Sequence, residues 1–453
     1  MEERGKPLPI ETLSRKELEE LQSKLLRSTT RKAYEHSLFW HEKFDFLGIK
    51  PDDIKNVDDL KKAYTKGLKV TDEDLLFNFP KLCPDYLEEE DYIILTTSGT
   101  SKGVWKSIPY TNDDIKRSNE QCRLLFNCVG VKKNSRNLNS FGPPPNASGI
   151  LCMMGLRAVG ASQYPLMVEV PPEIELRIIK SYKPEFIWKI GTKALALGNY
   201  LKDVGERGEK LGVKKICIGG EPFSEELKRK IEKLWNANVV DIYASAELSV
   251  TGFECPAKNG MHVTENRILL SVKDLESGEE SNEGRIVATA LYEENEHPGI
   301  FLLNKETGDL TKNLGRECEC GRTSLKIKPP IRMDDIFSIE TKKFYARAVE
   351  DILHEDNFTG NYIVIKYTDK DTGQLKKLEI RTEIKKPFSQ YKDLIGEVIN
   401  VFVKSNPLTY EILTKLEKEK KIEITFKSPG ELYEGLGQYL RKGKSIRFIE
   451  VLV

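Results

Sequence analysis

No apolar run in the 453-residue sequence approaches the ~20 residues that a membrane-spanning helix needs. The opening MEERGKPLPIE also lacks the apolar centre of a secretory leader, so a cytoplasmic protein with no membrane partner is expected. Charge of one sign is missing too: 71 basic residues offset 71 acidic ones, and no global basic excess points to nucleic acid. Cysteine is sparse. Eight thiols in so long a chain do not make a dense disulfide framework, which leaves free thiols or a metal site. His36 and His41 stand five apart, a spacing that does not bring both onto one helical face, and neither is assigned to a metal. The length suffices for about two or three domains, each with its own core.

What is present begins with DYIILTTSGTSKGVWKSIPY, residues 91–110. The apolar run Tyr92 to Leu95 predicts a strand; Thr97, Ser98, Gly99, Thr100 and Ser101 follow as a hydroxyl-rich turn; Lys106 leads into a second strand. Hydroxyls and backbone N–H groups around two glycines make a concave donor surface, and the lysine adds positive charge, so the guest such a turn suits is a polyphosphate. It is not a Walker A loop, because Val104 and Trp105 stand where that motif needs Gly-Lys. An ordinary Ser/Thr-rich surface turn is the alternative.

Further anchors follow along the chain. KICIGGEP, residues 215–222, reads as a short strand ending in Gly219 and Gly220, where a flat ring could approach the backbone, with Glu221 and Pro222 starting the next helix. DIYASAE places Asp241, Ile242, Tyr243, Ala244 and Glu247 together. In NKETGDLT, Asp309 follows Gly308 in an expected turn, and a carboxylate there could accept two hydrogen bonds from a vicinal diol. Cys255 and His262 (C-x6-H) with Cys318 and Cys320 (C-x-C) would fill all four places of a closed tetrahedral zinc site if the fold gathered them, a structural rather than a water-activating centre. PPIRMDD carries Arg332 and Asp334 after two prolines, and Gly443-Lys444 lies near the end. Residues 10–90 read as helical, with a capping box formed by Ser14 and Glu17. Residues 112–240 alternate helix and strand, the pattern of a parallel sheet covered on both faces. In the last hundred or so residues KFYARAVEDILHE predicts a helix, NYIVIKYTDKDTGQLKKLEIRTEI a hairpin, FSQYKDLIGEVINVFVKS a helix and KIEITFKSPGEL a strand.

Taken together, these motifs resemble the adenylate-forming (acyl-CoA synthetase-like) superfamily, in its phenylacetate-CoA ligase branch. The match departs from the usual phosphate loop by one extra residue and by Trp105 in place of proline, and Ala244 replaces the usual glycine. The resemblance implies an α/β fold: a large N-terminal adenylation domain, residues 1–331, of mostly parallel sheets flanked by helices, a hinge at 332–335, and a small mobile α+β lid, 336–453. It implies that Thr97, Ser98, Gly99, Thr100, Ser101 and Lys106 hold the ATP phosphates, and that Gly220, Glu221, Pro222, Asp241, Ile242, Tyr243 and Ala244 surround the nucleotide, with Tyr243 stacked on adenine. Glu247 would hold Mg²⁺, Asp309 the ribose hydroxyls, and Arg332 the ribose or a phosphate. Asp334 would be the pivot, and Lys444 would bridge the acyl carboxylate and the α-phosphate. Residues 141–149 would help form the acyl pocket.

The activity so implied is ATP-dependent conversion of a carboxylic acid, aromatic acids among them, to an acyl-adenylate with release of pyrophosphate, then thioester formation with coenzyme A. Thr341 stands where the family has a glycine beside the thiol acceptor. Two alternatives remain: an adenylyltransferase giving a stable AMP product, for example of a deazaflavin coenzyme, and a non-catalytic nucleotide-binding relative. Relatives in this branch also imply the zinc site and a homodimer.

Overall fold

Capping chemistry sets where the first helices begin. The Ser14 hydroxyl accepts from the Glu17 N–H, and the Glu17 carboxylate reaches back 2.8 Å to the Ser14 N–H, starting α1 (Arg15–His36). Helix α2 (Leu38–Leu47) stops at Gly48, whose φ of +63° is left-handed. Asn56 caps α3 (Val57–Thr65), Thr71 caps α4 (Asp72–Phe77), and α5 (Phe79–Leu82) follows. Leu26, Trp40 and Phe44 from this helical segment share one core with Ile268, Ile286 and Phe301. Each such side chain, removed from water, contributes about 1.5–3 kcal/mol. The Trp40 indole keeps a partner by donating to the Phe301 carbonyl at 3.0 Å.

The computed structural model describes residues 5–97, 106–333, 336–339, 342–345, 358–372, 374–384, 416, 418–428, 430–436 and 448–452. The chain divides into two compact units: Met1–Lys189, Val213–Gly220 and Val240–Ile331 form the first, and Ile190–Gly212, Glu221–Val239 and Arg332–Val453 the second.

In the first unit β1 (Tyr92–Thr96) and β2 (Ser107–Thr111) pair antiparallel, on either side of the hydroxyl-rich segment. Helix α6 (Asn112–Val129) leads from Thr111, its N-cap, toward β3 (Arg136–Asn139); α7 (Ala147–Ala158), β4 (Ser162–Pro165), α8 (Pro172–Tyr182), β5 (Phe186–Lys189) and β6 (Lys215–Gly219) continue the alternation. Thereafter β7 (Asn238–Ser245), β8 (Ser249–Glu254), β9 (Met261–Val263), β10 (Ile268–Lys273), β11 (Glu283–Ala290), β12 (Lys305–Lys312), β13 (Lys326–Ile327) and β14 (Ile331–Arg332) run without an intervening helix.

Eight strands form one sheet in the order β13-β9-β8-β7-β6-β5-β3-β4. Its β4-β3-β5-β6 half is parallel and its β7-β8-β9-β13 half antiparallel, so the mostly parallel sheet that the sequence implies is a mixed one. Short turns between successive strands permit only antiparallel pairing, and the long connections before β7 are what permit the parallel half. A second, four-stranded sheet has the order β10-β11-β12-β14.

Asp309 lies within β12 and not in a turn. The pairing of β12 with β11 shifts between Arg285 and Val287, and Gly308 there has φ +76°, so the glycine marks an irregularity inside a strand.

The second unit contains α9 (Gly191–Asp203) and α10 (Glu225–Trp235). It also has a hairpin, β15 (Ile336–Ile339) with β16 (Lys342–Tyr345), so KFYARAVEDILHE opens as strand where a helix is predicted; the rest of that stretch lies outside the described residues. The predicted hairpin forms as β17 (Phe358–Thr368) with β18 (Leu375–Ile384), and β19 (Ile422–Lys427) and β20 (Phe448–Leu452) flank it in parallel. The helix predicted over FSQYKDLIGEVINVFVKS lies outside the described residues. Among the described residues no helix is long and apolar enough to cross a membrane.

Candidate active site and metal cluster

Strand β7 and the turn after it deliver two of the anchors. The β7–β8 pairing shifts register between Tyr243 and Ala244, and Ser249 re-enters the ladder with φ +61°. In between, the Tyr110 hydroxyl donates to the Ala246 carbonyl at 2.7 Å and the Ser245 hydroxyl accepts from the Leu248 N–H, which pins the turn. Glu247 is thereby buried, Tyr243 half-buried and Ala244 exposed. The Tyr243 hydroxyl donates to Asp309 Oδ2 at 2.8 Å.

From the turn after β7, Glu247 enters a chain of alternating charges. Glu247 is ion-paired with Lys106; the same Lys106 Nζ is 2.8 Å from Asp72 Oδ1; and Asp72 Oδ1 also receives Lys305 Nζ at 2.6 Å. Lys106 and Glu247 are each only 6% exposed, so little water screens them. Burial would raise the Glu247 carboxyl, but the Lys106 and Lys305 charges outweigh it and hold Glu247 well below the usual carboxylate range. Burial would lower Lys106; Glu247 and Asp72 overcome this and raise it. For Lys305 burial prevails and its ammonium is lowered despite Asp72. Lys106 is tied to the other side of its hairpin, where the Thr97 N–H donates to its carbonyl at 3.2 Å, yet the Thr97 hydroxyl is buried with no hydrogen-bond partner.

Asp241 is buried, and its backbone N–H donates to Glu254 at 3.0 Å; Ile242 pairs with Phe253 across β8. A side chain at Gly219 would stand 3.1 Å from the Ile242 carbonyl, so small residues let β6 and β7 run close here, and Gly220 has φ +89°. Glu221, Pro222 and Arg332 belong to the second unit. Glu221 accepts the Thr192 N–H at 2.6 Å at the start of α9, and its other oxygen is buried without a partner. Helix α10 begins at Glu225 on the Ser224 cap rather than at Glu221-Pro222. Ser98, Gly99, Thr100, Ser101, Asp334, Thr341 and Lys444 lie outside the described residues.

The Cys/His set is gathered elsewhere in the first unit. Cys255 follows β8, His262 lies on β9, and Cys318 and Cys320 occupy the segment before β13. The Cys255 and Cys318 sulfurs are 3.6 Å apart, Cys320 Sγ is 3.3 Å from His262 Nε2, and all four ligand atoms fall within 4.8 Å of one another. Metal–sulfur bonds of about 2.3 Å in a tetrahedron give edges of about 3.8 Å, so the set fits a four-coordinate ion. His262 Nδ1 is 3.0 Å from the Ser324 hydroxyl, which turns Nε2 toward the sulfurs. Burial, reinforced by Arg322 and Lys326, takes His262 down to about 4, so it is the neutral imidazole a metal requires.

No family model matches the sequence. Over 97% of its length the chain is 26% identical to a phenylacetate-coenzyme A ligase of Thermus thermophilus, covering 98% of that protein. It is 25% identical over 83% of its length to the phenylacetate-coenzyme A ligase of Escherichia coli, covering 85% of it. Among solved structures, 2-hydroxyisobutyryl-CoA ligase in the postadenylation state with R3-HIB-AMP superimposes with a TM-score of 0.82 at 17% identity, over 98% of this chain and 91% of that one. This chain is a relative of the phenylacetate-CoA ligases. It has the adenylate-forming ligase fold, as the recognised motifs imply.

Two charged residues of this ion-pair chain escape sequence reasoning. Asp72 reads as an acid in the first turn of a capped helix, where negative charge is common anyway. Lys305 was hidden by the turn expected around Asp309. Burial along β12 alternates, with Lys305, Thr307, Asp309 and Thr311 on the buried side, so a period-two reading would have put Lys305 on the face of Asp309.

Proposed function

We propose that this chain is an AMP-forming acid–thiol ligase that joins a carboxylic acid to ATP, releases pyrophosphate, and passes the acyl group from the adenylate to coenzyme A. The observation that carries the proposal is the meeting, in one unit, of Tyr243 with Asp309 and of Glu247 with Lys106, beside the hairpin that frames the hydroxyl-rich turn. Similarity over nearly the whole length to phenylacetate-CoA ligases favours an aromatic acid.

Carboxylate and triphosphate are both anionic, so the task of the site is to neutralise charge and align the reacting atoms. In this proposal Thr97 to Ser101 and Lys106 take the phosphates, Asp309 the ribose, and Gly220, Glu221, Pro222 and 241–244 the base. Glu247 would hold the Mg²⁺ that accompanies ATP, which when bound would supply Lewis-acid chemistry. Arg332, in the hinge at 332–335, takes the ribose or a phosphate; the lid, 336–453, turns on that hinge, and its Lys444 neutralises the attacking carboxylate and the α-phosphate. The Cys/His set holds a structural zinc ion. A cytoplasmic homodimer without nucleic-acid or membrane partners completes the proposal.

The test is acid-dependent exchange of pyrophosphate into ATP, followed with a panel of aryl and acyl acids. Lys444→Ala is expected to abolish exchange while ATP binding stays nearly intact. Exchange at the wild-type rate would refute the role of Lys444. A stable AMP product with no thioester would favour adenylyl transfer instead.

A further inference from the structure

The four-residue chain Lys305–Asp72–Lys106–Glu247 contains more than the nucleotide site needs. Its two lysines and two carboxylates balance, and both Lys106 and Glu247 are buried. A dication arriving alone would bring uncompensated charge into this desolvated set. To reach Glu247 it would also have to displace Lys106, leaving two ammoniums to share the one Asp72 carboxylate, and uncompensated buried charge is costly. A metal–nucleotide complex is different, because it carries its own negative charge to meet the displaced lysine.

We infer that Lys106 occupies Glu247 as an internal counter-cation, that Asp72 held by Lys305 is the berth to which it withdraws, and that a divalent cation therefore reaches Glu247 only together with the nucleotide. The inference rests on the proposed assignment of Glu247 to the metal ion of ATP.

Asp72 Oδ1, 2.8 Å from Lys106 Nζ, offers a second carboxylate without any movement of the lysine backbone. Lys305 Nζ, 2.6 Å from the same oxygen and itself 2% exposed, keeps that carboxylate charged and in place. Asp72 and Lys305 are thus positioning residues. At the same end, the Thr97 hydroxyl has no hydrogen-bond partner, and the Thr97 N–H is bonded to the Lys106 carbonyl.

The experiment is a titration with Mn²⁺, read by electron paramagnetic resonance, on the full chain with its Cys/His set loaded with zinc. Lys106→Met is expected to bind Mn²⁺ without nucleotide about a hundredfold more tightly than wild type, from the cost of uncompensated buried charge. That gain should vanish in Lys106→Met combined with Glu247→Gln. Equal affinity of wild type and Lys106→Met for Mn²⁺ alone overturns the counter-cation role. Wild type that binds no Mn²⁺ even with ATP present overturns instead the assignment of Glu247, a distinct result.

Should Lys106→Met not fold, Asp72→Asn decides. Its affinity for Mn²⁺–ATP should fall about tenfold while that for metal-free ATP stays unchanged, and Asp72→Glu should restore it, since only the berth has changed. Unchanged Mn²⁺–ATP affinity in Asp72→Asn overturns the berth.

Discussion

The Tyr243 hydroxyl, on β7, donates a 2.8 Å hydrogen bond to Asp309 on β12, so one oxygen of that carboxylate is fixed by the side chain proposed to lie against adenine. Hydrogen bonds to charged groups contribute about 1.5–3 kcal/mol, or roughly ten- to a hundredfold in affinity. Tyr243→Phe should raise KM for ATP about tenfold with kcat little changed, and Asp309→Ala about a hundredfold. Pyrophosphate exchange at varied ATP checks both, and an unchanged KM in Asp309→Ala would remove Asp309 from the ribose.

Gly149 tests the proposed acyl pocket. A Cβ there would strike the Gly142 carbonyl and sit 2.9 Å from Met167 Sδ, so Gly149→Ala must push the segment 141–149 aside. The expected result is a higher KM for the acid, about tenfold, with KM for ATP unchanged, because misplacing one substrate weakens that substrate alone. Equal changes in both constants would argue for a general loss of structure.

Zinc content can be measured directly by elemental analysis, with about one ion per chain expected from four protein ligands. Ser324→Ala removes only the partner of His262 Nδ1 and should weaken metal affinity about 10–100-fold, while Cys320→Ser should lose the ion. Full zinc occupancy in Cys320→Ser would refute the site.

Glu296 supplies a prediction in pH. It is 0% exposed, is gripped by Arg267 at 2.9 and 3.1 Å, and accepts the Glu293 N–H at 2.8 Å. Burial opposes its ionisation, but the Glu293 N–H and Arg267 prevail, and its carboxyl lies below the ordinary value. A carboxyl lowered on folding stabilises above the unfolded value, about 4.3, and that stability is lost as pH falls through the folded one. Glu296→Gln should therefore cost about 1.5–3 kcal/mol near pH 7 through the loss of charge-assisted hydrogen bonds, Arg267 keeping Glu120 as its other partner. The gap from wild type should narrow below about pH 4. Calorimetric melting at both pH values checks it, and a gap that is constant with pH would contradict the assignment.

Local chemistry was legible where one residue type dictates it. The Ser14–Glu17 box starts α1, and the β-branched run 92–95 forms β1. The thiols and imidazole of the Cys/His set could be named from ligand chemistry alone, and the fold gathers all four. Long-range partners were not legible. Nothing in the sequence around Asp72 announces that Lys106 will arrive from just before β2 and Lys305 from β12. Gly308 misled for a related reason, since a left-handed glycine serves equally in a turn and in a strand irregularity.

Strand β13 is two residues long and closes one margin of the eight-stranded sheet, and the zinc ion proposed for the Cys/His cluster would tie down the segment leading into it. Were that tie undone by a chelator, β9 would offer its unpaired backbone groups to any neighbouring chain. Depletion of the ion would then register first as turbidity, through sheet-to-sheet association of whole molecules, rather than as a slower chemical step.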